Sequence, residues 1–418
     1  MDPRIGWLPS LLAVTVIATI YCEAQGKGEC DSGGCLVRFA MPALRSGFRA
    51  TMIDKKTLAV VWDEYRNDDV EYEVHLLLMD TKGEQISPQF TANTWSTSEQ
   101  SSPEVAPLPS GDFVVVWQSR GQDLDGYGIF GCRFDKEGWW VGNEFQINTW
   151  TTGEQESPQI ASLLDGGFVV VWVSLVGTRW TEGGLGSGVF GQRFDFLGNR
   201  VGSEFRINSR PELHPDSPAL ASLWDGTLVA LWVSYQSEKP YARVFGQRFG
   251  MDGKKIGPEF QLVSNPYERQ EAVTVAPLTG GGFVVTWRGY TDDYENGIYS
   301  EIFDASGNKS AGPFKVSSVN ADSADQGFVS SLSNGGFVVA WTALSRTGFK
   351  IFAQRFYPDG RRKGQEFLAS MRVGEHQIEP SVAPLPRGGF VVFWSWDYPH
   401  SYHIDMRWTD RVGKIFEE

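Results

Sequence analysis

Cysteine, histidine and the short motifs of several enzyme classes are scarce or missing in this chain. Its 418 residues include only 4 cysteines and 5 histidines, and none of these has the spacing of a zinc finger. No Gly-x-Ser-x-Gly, Gly-rich phosphate loop or His-Glu-x-x-His occurs. These absences argue against the common serine hydrolases, nucleotide-binding enzymes and zinc peptidases.

Positive charge is also in deficit. Lys and Arg number 37 against 51 Asp and Glu, which gives a formal net charge of −14 and a pI near 4.9. Because nucleic-acid binding depends on clustered Lys and Arg, the sequence predicts no nucleic-acid partner. An acidic surface suits divalent cations, basic partners or neutral polymers such as glycans.

Long apolar runs are absent beyond the N-terminal segment that ends at Ala24. In that segment, Arg4 precedes the apolar stretch Leu11–Ile20, and the small residue Ala24 would allow cleavage before Gln25. We therefore predict a secretory signal over residues 1–24, with a membrane anchor as the alternative. The stretch is short for a spanning helix, which needs about 20 residues. The mature protein is expected to be secreted, extracellular and without a transmembrane segment.

Three cysteines remain after that cleavage. Cys30 and Cys35 lie in a Cys/Gly-rich N-terminal segment, residues 25–35, whose flexibility allows a small disulfide. Cys132 stands at a strand position where other repeats carry glutamine. We predict a buried free thiol at Cys132, with a bridge to the N-terminal segment as the alternative.

The chain does contain a short apolar sequence motif that recurs seven times. The copies follow one another at nearly constant intervals and end at Trp62, Trp117, Trp172, Trp232, Trp287, Trp341 and Trp394. An apolar run such as Phe-Val-Val-Val-Trp, bounded by Gly-rich turns, is typical of a strand buried on both faces. Repeats of about 50 residues are typical of propeller blades. We predict an all-β fold, a seven-bladed β-propeller of four-stranded antiparallel blades, as a single domain over residues 36–418.

Details of the repeat predict how the blades are held. The recurring Trp is expected to pack between blades. The segment Leu36–Met41 is expected to supply the outer strand of the last blade and so close the ring. An arginine in the third strand is followed at a fixed spacing by a glutamate in the fourth, which predicts a cross-strand ion pair. The four pairs are Arg133 with Glu144, Arg193 with Glu204, Arg248 with Glu259, and Arg355 with Glu366.

The two ends of the blades differ in character. With strands A to D in each blade, the A-to-B and C-to-D turns share one end, the turn face, where they are short and repetitive. The B-to-C and D-to-A connections share the other end, the loop face, and vary from blade to blade. Since binding residues concentrate on variable loops held by a rigid frame, the loop face is the predicted site.

Aromatic and amide side chains on this face are those that sugar rings require. The predicted ligand-binding residues are Trp95, Gln100, Tyr127, Trp150, Gln155, Trp180, Tyr241, Tyr290, Trp396 and Tyr398. Alternatively, some of these rings only cover the end of the core and contact no ligand.

Calcium is the one cofactor that the sequence points to, and none is required. Asp123 and Asp125 belong to an Asp-x-Asp-Gly loop, and Asp292 and Asp293 to a second acidic loop. Neither loop has the full ligand set of a calcium-binding loop, and acidic turns are often only solvated. Asn308 begins the sequon Asn-Lys-Ser and is the predicted glycosylation site.

The amino-acid sequence of the repeat is similar to that of repeats in a known group of proteins. Gly-Ile-Phe-Gly-Cys-Arg-Phe-Asp (128–135), Val-Gly-Asn-Glu-Phe-Gln-Ile-Asn-Thr (141–149) and Gly-Gly-Phe-Val-Val-Val-Trp (166–172) resemble repeats of secreted bacterial proteins associated with haemolysin-type, repeat-in-toxin calcium-binding modules. The resemblance covers about residues 50–410 and implies a secreted, propeller-like adhesion or binding module. The Gly-Gly-x-Gly-x-Asp nonapeptides of those modules are missing here, so their calcium array does not carry over.

Taken from the sequence, the preferred interpretation is a secreted, non-enzymatic protein that binds a glycan or another extracellular-matrix component, such as a protein, through the loop face. One alternative is a carbohydrate-active hydrolase or lyase on the same face, for which Asp292, Asp293 and Glu295 offer paired carboxylates. The other is an acidic, calcium-associated structural matrix protein.

Overall fold

The computed structural model describes residues 30–31, 34–41, 48–65, 71–176, 187–209, 214–236, 239–262, 269–290, 296–318, 324–370, 376–386, 388–398 and 401–409. Within these residues the chain forms seven sheets of antiparallel strands. The predicted seven-bladed propeller of four-stranded blades is therefore confirmed. The predicted signal, residues 1–24, lies outside the described residues.

The first six blades are each continuous in sequence, with strands in the order A to D. Blade 1 comprises β3 (Arg49–Met52), β4 (Thr57–Tyr65), β5 (Tyr72–Asp80) and β6 (Phe90–Thr91). Blade 2 comprises β7 (Gln100–Pro107), β8 (Phe113–Arg120), β9 (Tyr127–Phe134) and β10 (Phe145–Gln146). Blade 3 comprises β11 (Glu154–Ser162), β12 (Phe168–Leu175), β13 (Gly188–Phe194) and β14 (Arg200–Arg206).

The second half repeats the pattern. Blade 4 comprises β15 (His214–Ser222), β16 (Leu228–Gln236), β17 (Lys239–Phe249) and β18 (Lys255–Gln261). Blade 5 comprises β19 (Arg269–Pro277), β20 (Phe283–Tyr290), β21 (Gly297–Phe303) and β22 (Lys309–Lys315). Blade 6 comprises β23 (Asp325–Ser331), β24 (Phe337–Ser345), β25 (Gly348–Phe356) and β26 (Phe367–Leu368).

The seventh blade is built from both ends of the chain. Its inner strands are β27 (His376–Pro384), β28 (Phe390–Tyr398) and β29 (Ser401–Thr409), and its outer strand is the N-terminal β2 (Gly34–Met41). Leu36 pairs with Arg407 and Met41 with Tyr402 in antiparallel register. A short β1 (Cys30–Asp31) extends this sheet. The predicted closure of the ring by the N-terminal segment is confirmed.

The core lies between neighbouring blades. All seven repeat tryptophans are at most 1% exposed, and several stack on the ring that faces them across strands B and C, as Trp232 does on Phe245 with centroids 6.4 Å apart. A second aromatic layer lies nearer the turn face, where Phe168 stacks on Phe194 at 4.9 Å. The tryptophans therefore hold the blades together, as predicted, and are not available as ligand platforms.

The predicted Arg–Glu ion pairs are wrong where the structure gives both partners. Arg133 pairs with Asp112 of the A-to-B turn at 3.3 Å, and Arg193 and Arg248 likewise pair with Asp165 and Asp225. The glutamates instead accept hydrogen bonds from the preceding D-to-A connection. Glu204 accepts from the N–H and hydroxyl of Thr149, Glu144 from those of Thr94, and Glu259 from the N–H of Ser209. The arginine and the glutamate recur together because each makes its own contact in these blades. The arginine pairs with the A-to-B turn, and the glutamate accepts from the preceding D-to-A connection.

Cys132 is buried and free, as predicted, and burial raises the pKa of its thiol to about 12. No helix in the described part of the chain is long and apolar enough to cross a membrane.

Candidate functional site

An axial cavity of about 490 Å³ lies where the seven A strands meet. It is lined by the middle of these strands, including Ser102–Glu104, Ser157–Ile160, Ala272–Val275 and Gln326–Val329. A β-bulge interrupts strand A in blades 2 to 7. The bulge bends each inner strand and re-aims its side chains, which is the usual role of bulges beside functional sites.

Each bulge contains a residue with positive φ that is not glycine. These residues are Ser102, Ser157, Ser217, Ala272, Gln326 and Glu379, with φ between 46° and 56°. A non-glycine residue in this region costs of order 1 kcal/mol or more. The neighbouring blade holds some of them in place: the Ser157 N–H donates to Gln118 Oε1 at 2.9 Å, and the Glu379 N–H donates to Gln326 Oε1 at 2.9 Å.

Polar side chains from several blades meet inside the cavity. Arg49 Nε donates to Glu104 Oε1 at 2.7 Å, and Gln159 Nε2 donates to the same oxygen at 2.9 Å. The Arg49 guanidinium also lies 5.9 Å from the ring of Phe328. These four residues occupy equivalent positions, since each precedes its repeat tryptophan by the same interval. One radial position thus carries different chemistry in each blade.

A second group lies at the loop-face ends of the inner strands in blades 4 to 6. We call Tyr235, Arg269, Glu271, Arg288, Tyr290 and Asp325 the rim cluster. Strands β19 and β20 place Arg269 opposite Tyr290 and Glu271 opposite Arg288. Glu271 and Asp325 directly precede Ala272 and Gln326, which line the cavity. The rim cluster therefore borders the cavity on its loop-face side.

Short contacts connect the members of the rim cluster. Arg269 Nη2 lies 2.5 Å from Glu271 Oε1, and Arg288 Nη1 lies 2.8 Å from Asp325 Oδ1. The Arg288 guanidinium stacks 4.3 Å from the Tyr290 ring centroid, with Arg269 at 5.9 Å on the same ring. Arg269 also adjoins Tyr235 and opposes part of the rise in the pKa of that tyrosine.

Burial raises the pKa of both tyrosines in the cluster. For Tyr290, Glu271 and Asp325 add to this rise while Arg288 and Arg269 oppose it. For Tyr235, Asp216 and Glu271 act in the same direction as burial. Both phenols are therefore protonated at neutral pH, and each has a proton that it can donate. Protonated phenols, guanidinium groups and carboxylates around one opening supply acid, cation and base functions together.

Two of the predicted ligand residues, Trp95 and Trp150, do present their rings to solvent. They are 41% and 56% exposed and belong to matching D-to-A connections, Asn93-Thr94-Trp95 and Asn148-Thr149-Trp150. Asn93 and Asn148 donate to the carbonyls of Trp95 and Trp150 at 2.7 and 2.9 Å. With the glutamate contacts described above, these bonds fix the backbone below each indole.

Gln100 and Gln155 have a different role from the one predicted. Both are fully buried. Gln155 Oε1 accepts from Asn148 at 3.0 Å and its Nε2 donates to the carbonyl of Thr152 at 3.1 Å. Gln100 makes the equivalent pair of bonds. Their amides tie the connection to strand A and leave no surface open to a ligand.

The remaining predicted aromatics fall into two groups. Tyr127 is half-buried, with Arg120 5.8 Å from its ring, and its pKa is raised by burial and by its hydrogen bond to Glu99. Tyr290 belongs to the rim cluster. Trp180 and the side chains of Tyr241, Trp396 and Tyr398 lie outside the described residues.

The acidic loop of blade 2 is occupied by internal contacts. Asp125 accepts the N–H groups of Gly153 at 3.1 Å and Gly126 at 3.0 Å, which lowers its pKa. Asp123 accepts from Asn148 at 3.5 Å, and burial raises its pKa. No group of three or more metal-ligating side chains occurs among the described residues, and Asp292 and Asp293 lie outside them. Calcium binding stays a prediction.

Two other predicted features are partly visible. Asn308 is exposed in the C-to-D turn of blade 5, where its amide donates to Asp304 at 3.4 Å. Cys30 and Cys35 face each other in the β1–β2 register, while their side chains lie outside the described residues. Glycosylation at Asn308 and the disulfide stay predictions.

The rim cluster was not predicted, apart from Tyr290. Its other members lie within strands, whereas the sequence points to loops as binding elements. A signal was nevertheless present: when the repeats are aligned on their tryptophans, four consecutive blades carry an acid at the same position of strand A. These acids are Glu156, Asp216, Glu271 and Asp325.

Comparison with known proteins finds structures of similar fold but assigns the chain to no family. No family model and no curated protein matches the chain. Among solved structures, an ulvan lyase of polysaccharide lyase family PL25 aligns with a TM-score of 0.59 and 9% identity, covering 90% of this chain and 96% of its own. A protein of unknown function from Dyadobacter fermentans aligns at 0.51 and 11%, covering 73% and 94%.

A carbohydrate-cleaving enzyme of a second type is also similar. The GH93 α-L-arabinofuranosidase of Fusarium graminearum, solved with arabinobiose, aligns with a TM-score of 0.50 and 14% identity, covering 74% of this chain and 93% of its own. At these identities the likeness establishes the propeller fold alone.

Proposed function

We propose that this chain is a carbohydrate-active protein that binds and cleaves a polysaccharide at the loop face, over the mouth of the axial cavity. The observation that carries the proposal is the rim cluster, in which Tyr290, Arg288 and Asp325 lie in contact beside that cavity. Two structural neighbours, an ulvan lyase and an arabinofuranosidase, support the carbohydrate class by their activities.

The groups present suit two reaction types. In a hydrolase, one carboxylic acid protonates the leaving oxygen while a second carboxylate assists attack on the anomeric carbon. In a lyase acting on a uronate, a base removes the proton next to the sugar carboxylate, the C–O bond to the next sugar breaks, and an acid protonates the departing oxygen. A protonated tyrosine such as Tyr290 fits the acid role, Glu271 the base role, and Arg288 neutralisation of charge.

Binding without cleavage is the second candidate function, and the two matching D-to-A connections favour it. Trp95 and Trp150 present exposed indoles on rigid backbone, which suits stacking on the C–H face of a sugar. In this case the loop face would hold a glycan, or a protein of the matrix, without changing it.

The extracellular setting belongs to the same proposal. It is supported by the signal-like N-terminal segment that ends at Ala24 and by the resemblance of the blade phrases to those of secreted bacterial repeat proteins.

The test is a polysaccharide panel incubated with the mature chain from Gln25, with products identified by mass spectrometry. A product carrying a new C=C bond marks a lyase, and a product that has gained water marks a hydrolase. Tyr290→Phe and Arg288→Lys are expected to lower the rate by roughly 100-fold or more, the usual contribution of a general acid.

The turn face offers a matched control. Tyr357 is packed against Arg361, whose guanidinium lies 5.4 Å from its ring, so Tyr357→Phe removes the same hydroxyl from a similar pair far from the cavity. Full activity in Tyr290→Phe would remove the rim cluster from the reaction. Retention of intact glycan, lost in Trp95→Ala or Trp150→Ala, would support the binding candidate instead.

A further inference from the structure

The turn face carries an apolar patch that the fold itself does not require. Its members are 57–74% exposed and lie at turn tips in blades 2 to 4. We call these residues the turn-face patch: Trp139, Leu164, Phe196, Leu197 and Trp224. None of them takes part in the inter-blade core described above.

The equivalent tips in other blades show that polar residues or proline are sufficient there. Where blades 3 and 4 have Leu164 and Trp224, the remaining blades have Asp54, Pro109, Thr279, Ser333 and Pro386. Where blade 3 has Phe196-Leu197, blade 1 has Thr81-Lys82 and blade 5 has Ala305-Ser306. The turns close by the same backbone bonds, except that in blade 1 the Lys56 N–H donates to Asp54 Oδ1 instead. Large apolar side chains therefore occupy turn tips of three consecutive blades without a structural need.

The tips of blades 3 and 4 adjoin one another. A methyl group at Gly226, in the turn that carries Trp224, would lie 3.4 Å from Leu164 Cδ1. A methyl group at Gly166, in the turn that carries Leu164, would lie 3.6 Å from Phe196 Cβ. All the turns of this face in blades 2 to 4 belong to the described residues.

The size of the patch matches that of a dimer interface. At these exposures, five large side chains present apolar surface on the order of 600 Å². One partner in a stable interface buries roughly 800 Å², of which about 65% is apolar in homodimers. The patch is therefore large enough to form the apolar centre of such an interface.

Most charges around the patch are paired within the chain, while Asp135 and Asp195 accept backbone N–H groups of their own turns. Arg193 pairs with Asp165, Arg248 with Asp225 at 3.5 Å, Lys136 with Glu137 at 3.6 Å, and Lys254 with Asp252 at 2.7 Å. Although the whole chain carries −14, this border neither repels an identical surface nor attracts a strongly charged partner. The border of the patch therefore has no strong net charge that would attract an anionic membrane or a basic protein.

We propose that two copies of this chain associate through their turn-face patches in a two-fold symmetric dimer. The same surface then meets itself, as two-fold interfaces require. Both loop faces point away from the contact, so the dimer presents two ligand-binding faces and gains avidity for a polymer.

Sedimentation equilibrium of the mature chain, from about 1 to 100 µM, tests this proposal over the affinity range of such interfaces. We expect a dimer, and at least a 10-fold weaker association in Trp224→Ser and in Leu164→Ser. Trp150→Ser is the matched control, since Trp150 is 56% exposed on the loop face against 60% for Trp224. Unchanged thermal unfolding of the diluted monomers shows that the variants are folded.

Three results would overturn the proposal. The first is a wild-type chain that stays monomeric throughout the range. The second is a dimer that persists in both turn-face variants or dissociates in Trp150→Ser. The third is a monomer that floats with phosphatidylcholine vesicles and loses this property in Trp224→Ser, because the patch would then bind lipid.

Discussion

Gly280 and Gly282 stand two positions apart in one turn of blade 5, yet their surroundings differ. A methyl group at Gly280 would meet nothing within 4 Å. At Gly282 it would clash with the backbone carbonyl of Phe303. The same close approach to strand C recurs at Gly167 and Gly336 in other blades. In these three blades, the last glycine of the turn therefore leaves no room for a Cβ atom unless the backbone shifts.

Alanine substitutions at these two positions test whether the close approach to strand C affects stability. We expect Gly282→Ala to lower the free energy of unfolding by about 1–3 kcal/mol, as overpacking does, and Gly280→Ala to change it by less than about 0.5 kcal/mol. Urea denaturation of both variants measures the difference. Equal stability of the two would contradict the close contact.

Cys132 yields a prediction about reactivity. Its pKa, raised by burial to about 12, keeps the thiol neutral at pH 8, and the neutral form is a poor nucleophile. Iodoacetamide followed by peptide mass spectrometry should leave Cys132 unmodified in the folded protein and alkylated in urea. Rapid labelling of Cys132 without denaturant would show that its site is open.

At the element scale, the ladder of four strands was predictable from the apolar phrase, but the partners of polar side chains were not. Arg193 and Glu204 recur at fixed spacing, which indicates a pair, yet Arg193 contacts the A-to-B turn and Glu204 contacts the preceding connection. Spacing along the chain identifies the strand and the face. It does not tell which of two adjoining elements a long side chain reaches.

Double-mutant cycles distinguish the two pairings. The coupling free energy between Arg193 and Asp165 is expected to be about 0.5 kcal/mol, since both side chains are partly exposed. Between Arg193 and Glu204 it is expected to be zero within error. A larger coupling for the second pair would restore the cross-strand interpretation.

Closure of the whole ring depends on β2. This strand completes blade 7 by pairing from Leu36 to Met41 with β29, and without it an edge strand is exposed. Deletion of residues 25–41 should lower and broaden the thermal unfolding transition, whereas deletion of residues 25–29 should leave it unchanged. Circular dichroism measures both. An unaltered transition after the longer deletion would contradict the closure.

The fold of the whole molecule was far more predictable than its site. Seven tryptophans at nearly equal spacing determine blade number, and a glycine-bounded apolar run determines strand type. The rim cluster draws Tyr235, Arg269 and Asp325 from three blades, and only the curvature of the ring brings such distant segments together. Trp95 and Trp150 were found because they lie on exposed connections, whereas Gln100 and Gln155, close by in sequence, point into the protein.

The proposed function places a bound polysaccharide at the loop face, over the axial cavity. The most direct measurement is a crystal structure of the protein with an oligosaccharide fragment of the polymer that it retains or cleaves. We expect sugar rings in contact with Arg269, Arg288 and Tyr290, with further units extending over the loop face. Sugar bound only at the turn face, or at the outer wall of the blades, would show that the loop face is not the binding site.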